Sequence, residues 1–356
     1  MVTLLSILQV DIGAKVLGVL MLLEVTSLAV TALAVLFKGG GPEGFDLAAS
    51  FSPSSIFAGG FGGGAGIALA FAFASYIGFE ATAIYAEETK DPKRAVPIAT
   101  YTAVGLIAAL FAITSFAMVS ALGSSQVIDQ VVAHAGEDLG APEEVLFSVA
   151  SEYVGGWLAT TMSWLVLSSL FAGLLAFQNS AARYFYSMGR AGVLPRALDH
   201  VNKQGSPLVG ALATSAVSGA VITWFAATDK DPVGNMFLWF SAVAVLAIVV
   251  VEVLVSLAVI AYFRRTREDT RVWNTLIAPA LSALFLVAGA YLVMSRFGLL
   301  AGTTQPDVDP TVQTFGLNTL GWVLVLSPFI AFVIGTIIGA VRRSDENEDA
   351  VADLVT

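Results

Sequence analysis

The chain has 356 residues, of which 57% are hydrophobic and 12% charged, with a formal net charge of −10. A soluble domain is roughly 25% charged, and a chain of this length with a mean hydropathy of +0.82 carries more apolar surface than one soluble core can hide, which also excludes disorder, collagen and coiled coil. The acidic balance argues against nucleic acid as a partner. The absence of cysteine excludes disulfides and thiolate sites, and two histidines, His134 and His200, are too few for a histidine-built metal centre.

A spanning helix needs about 20 mostly apolar residues. Eight segments meet that test in chain order: 13–37, 63–87, 96–122, 154–182, 207–227, 234–263, 274–298 and 317–341. They are continuous apolar runs, not the ten-residue alternations of a barrel, so the expected fold is an all-α integral membrane protein of about eight transmembrane helices in one transmembrane domain, 1–356. Fourteen of the 17 Lys and Arg fall on one side of this arrangement: Lys15, then Lys90 to Arg94, Arg183 to Lys203, Arg264 to Arg271, and Arg342 with Arg343. Lys38, Lys230 and Arg296 fall on the other. The positive-inside rule puts the rich side, and both termini, in the cytoplasm. The connection 123–153, with Asp129, Glu137, Asp138, Glu143 and Glu144, is expected to be a solvated acidic outer loop. The tail 344–356 is expected to be acidic, cytoplasmic and disordered. The first residues show no basic, cleavable leader.

Ionisable residues at membrane depth are costly, and each is a candidate for function. Glu24 lies mid-way along the first segment, Glu80 in the second and Glu252 in the sixth. None has a basic residue within a helical turn in sequence. Each is either a neutral structural acid or a group that carries a proton. The second segment opens on a glycine cluster, Gly59 to Gly66, and holds Gly78 beside Glu80. Gly60 to Ala65 formally fits a dinucleotide pattern, but no strand precedes it, so it carries no nucleotide. Gly78 allows local unwinding, and freed backbone groups are tolerated at that depth only where they line a cavity. Broken helices gripping charged substrates are the device of secondary transporters. Ser163, Ser168 and Ser169 of the fourth segment either bond to their own backbone or line a path. Trp157, Trp164, Trp224, Trp239 and Trp322 are expected in an interfacial belt.

Two stretches carry a family resemblance. FASYIGFEATAIYAEETKDPKRAVPIA, 73–99, resembles the sixth helix and following loop of the amino acid–polyamine–organocation permeases, and FAGLLAFQNSAARYFYSMGRAGVLPRAL, 171–198, resembles their eighth. VSLAVIAYFRR, 255–265, is similar to the cytoplasmic end of the tenth. The resemblance implies a five-plus-five inverted-repeat transporter fold, here partial: the segments look like helices five to twelve, and the first four are missing. A chain lacking the first helix would lack one wall of the binding cavity, and alone would not be expected to transport.

The resemblance also implies roles. Substrate would meet the unwound stretch Phe73, Ala74, Ser75, Tyr76, Ile77 and Gly78, with the helix broken near 75–78. Glu80 sits where the family often has an acid suspected of coupling. Glu24 falls near a position where several relatives place a lysine in lieu of sodium. Ser169 is the serine expected to face the same region; Glu252 has no family role. The function implied is secondary active transport of amino acids or related amines across the plasma membrane by alternating access. Proton coupling is favoured over sodium or exchange, and no cofactor, metal or catalytic residue is expected. The competing reading is a truncated, non-transporting remnant or subunit. An enzyme would need a nucleophile–base pair, a metal cluster or a phosphate loop, and none is recognisable.

Overall fold

The computed structural model describes residues 1–8, 11–86, 89–136, 141–203 and 205–341. The tail 344–356, Arg342, Arg343, Glu87, Glu88, Glu137 and Asp138 lie outside the described residues. The helices, in chain order, are α1 (Val2–Leu8), α2 (Asp11–Phe37), α3 (Gly64–Ser75), α4 (Ala81–Ile84), α5 (Pro92–Leu122), α6 (Val127–Ala135) and α7 (Glu143–Tyr153). They continue with α8 (Gly156–Arg190), α9 (Leu208–Ala227), α10 (Leu238–Thr266), α11 (Ala278–Ser295), α12 (Phe297–Ala301) and α13 (Thr319–Val341). Seven helical stretches among the described residues are long and apolar enough to cross a membrane. The expected second span, 63–87, is not one of them, because it is divided into α3 and α4.

The exposed faces of these helices identify the solvent. On α8, Leu167, Leu170, Leu174 and Phe177 recur at helical spacing, and each is more than half exposed. A water-facing helix would carry polar residues along such a stripe; this one suits lipid. Helix ends follow from local chemistry. Pro92 opens α5, where its missing N–H is no loss. Gly155, at φ +139°, makes the sharp turn from α7 into α8. A wide turn, Pro232–Phe237, leads into α10, with the Asp231 side chain accepting from the Gly234 N–H.

The chain divides into two compact units. The first comprises Met1–Ser52, Phe79–Trp224 and Gly339–Thr356. Its core is built from Ala32 and Val35 of α2, Ala117 and Ala121 of α5, and Val149 and Tyr153 of α7. Ala150 packs beside it with Leu158 and Met162 of α8. The connection 123–153 is therefore not simply a solvated loop. Val145, Val149 and Tyr153, four residues apart, put an apolar stripe of α7 into the core, while Glu143 and Glu144 stay in its first turn. Glu43 accepts from the Ser125 hydroxyl and, at 3.1 Å, from the Ser125 N–H. Those bonds hold its carboxyl below the usual range. At the other end of the unit α1 is pinned: Thr3 bonds Ser215 at 2.7 Å, and Asn202 Nδ2 donates to the Ile7 carbonyl at 2.7 Å.

The second unit comprises Pro53–Gly78 and Phe225–Ile338. Its core joins Ala70 of α3 with Ala242, Val245 and Leu246 of α10, Val293 of α11, Phe297 of α12, Leu317 and Val325. Trp239 packs on this core, edge-on to Phe225 at 5.7 Å, with its Nε1 buried and unbonded among the described residues. Arg296, counted with the cations of the arginine-poor side, is 2% exposed. Its guanidinium donates to the carbonyls of Pro310 (2.8 Å), Thr311 (3.2 Å) and Gly62. It thereby fastens the glycine-rich lead into α3 to the 303–318 loop. Composition alone counts this arginine as a surface charge; the carbonyls that bury it come from distant parts of the chain.

A broken membrane helix as candidate binding site

α3 ends at Ser75 and α4 begins at Ala81. Between them the ladder tightens. Tyr76 N–H reaches Phe73 O and Ile77 N–H reaches Ala74 O, each at 3.4 Å and three residues back. Thr82 N–H and Ala83 N–H make the same short steps to Phe79 O and Glu80 O. Gly78 stands in the middle at φ +116°, a conformation that L side chains rarely adopt, with nothing within 4 Å of where a Cβ would be. A glycine is needed here for its backbone, not for lack of room.

Within the second unit, the expected substrate-binding residues divide by role. Phe73, Ala74 and Ile77 pack against the unit's core. Phe73 lies on α11, its ring occupying the space a Gly289 side chain would take. Ser75 is exposed, and its hydroxyl donates to the Phe71 carbonyl at 2.9 Å. Tyr76 and Gly78 are half-buried. The side chains thus fix the end of α3, and the backbone at 76–78 is what departs from the helix.

Within the first unit, Glu80 precedes α4 and lies close enough to the Tyr184 hydroxyl of α8 for electrostatic interaction. Arg183 of α8 stacks over the Tyr85 ring, 4.3 Å from its centre, and Thr82 bonds Thr100 of α5 at 2.6 Å. These contacts hold α4 to α8 and α5. Neither the Arg183–Tyr85 stacking nor the interaction of Glu80 with Tyr184 was foreseen, although Arg183 lies within the second stretch that carries the resemblance.

Also in the first unit, Glu24 of α2 meets α8. Its Oε1 is 3.4 Å from Ser168 Oγ, whose hydroxyl also donates to Leu165 O at 2.8 Å. Ser27 and Thr31, three and seven residues on, extend a polar line along α2. Ser27 Oγ donates to Glu24 O, and Thr31 Oγ1 donates to Ser27 O at 2.9 Å and touches Met162 Sδ. The expected serine, Ser169, is exposed and its neighbour takes the contact. The reason is a rotation of the buried face of α8. Leu158, Met162 and Leu165 form one face, while Leu175, Gln178 and Ala182 form another. Ser169 prolongs the first face past its end, whereas Ser168 lies between the two. Glu252 sits on α10, one turn before Ser256, which donates to Glu252 O at 2.8 Å and meets Ser282 of α11 at 3.3 Å.

Together these features define a multi-span, all-α membrane protein with an unwound stretch inside one hydrophobic segment. The chain belongs to the amino acid permease family, whose sequence model matches residues 1–326. Its relatives include cationic amino acid transporter 1 of Arabidopsis thaliana, 32% identical over 49% of this chain and 28% of that protein. A branched-chain amino acid permease of Lactococcus lactis is 27% identical over 47% of this chain and 34% of its own length. The histidine permease of Saccharomyces cerevisiae is 25% identical over 55% and 32%. The chain thus spans about a third of the length of these curated relatives. The family is one of permeases and not of enzymes. No solved structure gives a significant match.

Proposed function

We propose that this chain forms the substrate-gripping part of a secondary transporter that carries amino acids or related amines across the plasma membrane. It works by alternating access, with both termini cytoplasmic. The observation that carries the reading is the departure from the helix at 76–78, with Gly78 at φ +116°. At membrane depth irregular backbone is tolerated only where it is packed in protein or lines a cavity, and interrupted helices are where secondary transporters meet charged substrates. The relatives' names, which specify histidine, branched-chain and cationic amino acids, support the substrate class and leave the side chain open.

Proton coupling is assigned to Glu24 and Glu80. Ser168 has one hydroxyl proton and two acceptors within reach, Leu165 O and Glu24. An ionised Glu24 competes for that proton; a protonated Glu24 can instead donate to Ser168. The pair therefore has two self-consistent hydrogen-bond states that differ by one proton. Glu80, which interacts electrostatically with Tyr184 and follows Gly78 by two residues in sequence, is the second acid to which we assign coupling. Labelled amino acids, offered under an inward proton gradient to the chain reconstituted together with the first four helices that the resemblance implies, test the reading. Saturable uptake that stops when the gradient is collapsed supports it. Uptake indifferent to the gradient removes the coupling assignment, and saturable binding without uptake would point to a non-transporting subunit.

A further inference from the structure

α10 ends in a cluster of arginines whose local acids are already taken. Arg264, Arg265, Arg267 and Arg271 fall within eight residues, beside Glu268 and Asp269. Asp269 Oδ2 accepts from Arg271 Nη2 at 2.7 Å and Nε at 3.0 Å, its Oδ1 accepts from Nε at 3.1 Å, and those bonds lower its carboxyl to about 2. Glu268 accepts from the Tyr262 hydroxyl at 3.0 Å. Arg264, Arg265 and Arg267 are all exposed. Their side chains have no hydrogen-bond or ion-pair partner among the described residues. Arg267, in the left-handed conformation, closes the helix by returning its N–H to Phe263 O at 3.1 Å.

These guanidiniums begin where the apolar run of α10 stops. Tyr262 (44% exposed) and Trp273 (61% exposed) flank them, and Tyr and Trp partition to the level of lipid headgroups. Below that level α10 and α11 present exposed Val255, Leu281, Leu284 and Phe285, a surface suited to acyl chains. We propose that Arg264, Arg265 and Arg267 form a docking site for an anionic phospholipid, its phosphate held by the guanidinium forks and its chains lying on the α10–α11 hairpin. Guanidinium matches phosphate geometry with paired donors. The arginines stand on an open surface with no enclosing pocket, which suits a headgroup already anchored in the bilayer better than a small soluble anion.

The test uses the full chain in nanodiscs of phosphatidylcholine alone and of phosphatidylcholine with phosphatidylglycerol. Native mass spectrometry counts the phosphatidylglycerol retained, and thermal unfolding gives the shift it confers. R264Q/R265Q/R267Q should lower retention by about tenfold or more, from the usual contribution of basic residues at an anionic surface, and abolish the shift. It should melt like wild type in phosphatidylcholine. K90Q/K93Q/R94Q, with the same charge change in another loop, should retain the lipid. Equal losses in the two variants would show diffuse surface attraction and overturn the proposal, as would unchanged retention in the arginine variant. Displacement of the lipid by millimolar inorganic phosphate would also overturn it, by showing a site for soluble anions. Should the triple variant fail to fold, the single Arg→Gln variants carry the test: each should lose part of the retention, and three unaffected singles would contradict the site.

Discussion

The ring of Phe73 occupies the space that a side chain at Gly289 would need: a Cβ there would lie 2.4 Å from Phe73 Cζ. The last turn of α3 is thus seated on α11 by an aromatic ring over a glycine. Gly289→Val should displace that ring and destabilise the protein by about 1–3 kcal/mol, the usual cost of overpacking. Phe73→Leu in the same background should recover part of the loss, because a smaller side chain relieves the clash. Thermal unfolding of the two single variants and the double variant measures the coupling.

Arg296 should behave as a structural cation. Its guanidinium donates to Gly62, Pro310 and Thr311, and one ammonium cannot span those three carbonyls. Both Arg296→Lys and Arg296→Met should lower stability, because the carbonyls lose a charged donor, a hydrogen bond worth at most about 1.5–3 kcal/mol each. Limited proteolysis of the 303–318 loop should quicken in both. A Lys variant as stable and as resistant as wild type would contradict the clamp.

The contact of Glu24 with Ser168 predicts a ranking. Glu24→Gln, which keeps the shape but cannot release a proton, should lower gradient-driven uptake by about tenfold or more, the scale of losing a proton-transfer group. Ser168→Ala should lower it less and shift its pH dependence. Ser169→Ala should match wild type. A larger effect at Ser169 than at Ser168 would reverse the assignment.

Much of this was legible in the sequence, for reasons that differ by residue. The membrane class follows from apolar runs longer than 20 residues, and the break in the second run follows from Gly78 beside an acid. Ser27 and Thr31 could have been read with Glu24 from their spacing of three and seven. Ser168 could not be chosen over Ser169, because the choice depends on where the buried face of α8 rotates. That rotation is set by the helices packed against it. The burial of Arg296 could not be read either, because the carbonyls that receive its guanidinium come from distant parts of the chain. The α7 stripe was hidden because acidic residues dominate the 123–153 connection while three apolar ones do the packing.

Glu80 should be needed for transport and not for folding. Glu80→Gln keeps the size and hydrogen-bonding capacity of the side chain but cannot release a proton. Uptake should fall well below wild type, while expression and melting temperature stay similar. Uptake equal to wild type across the pH range would take Glu80 out of the mechanism.

The central claim is that the irregular backbone at 76–78 holds the substrate, and one binding measurement tests it most directly. Gly78 and Gly105 both have open space where a Cβ would go, but only Gly78 has a positive φ. A side chain at Gly78 therefore strains the backbone, at about 1–3 kcal/mol, with open space around its Cβ, while one at Gly105 has the same open space and no strain. Labelled amino acids should bind saturably to the wild-type chain and to Gly105→Leu in nanodiscs, and Gly78→Leu should lose that binding while remaining folded. Binding to Gly78→Leu with wild-type affinity, or no saturable binding of any amino acid to the wild-type chain, would contradict the account.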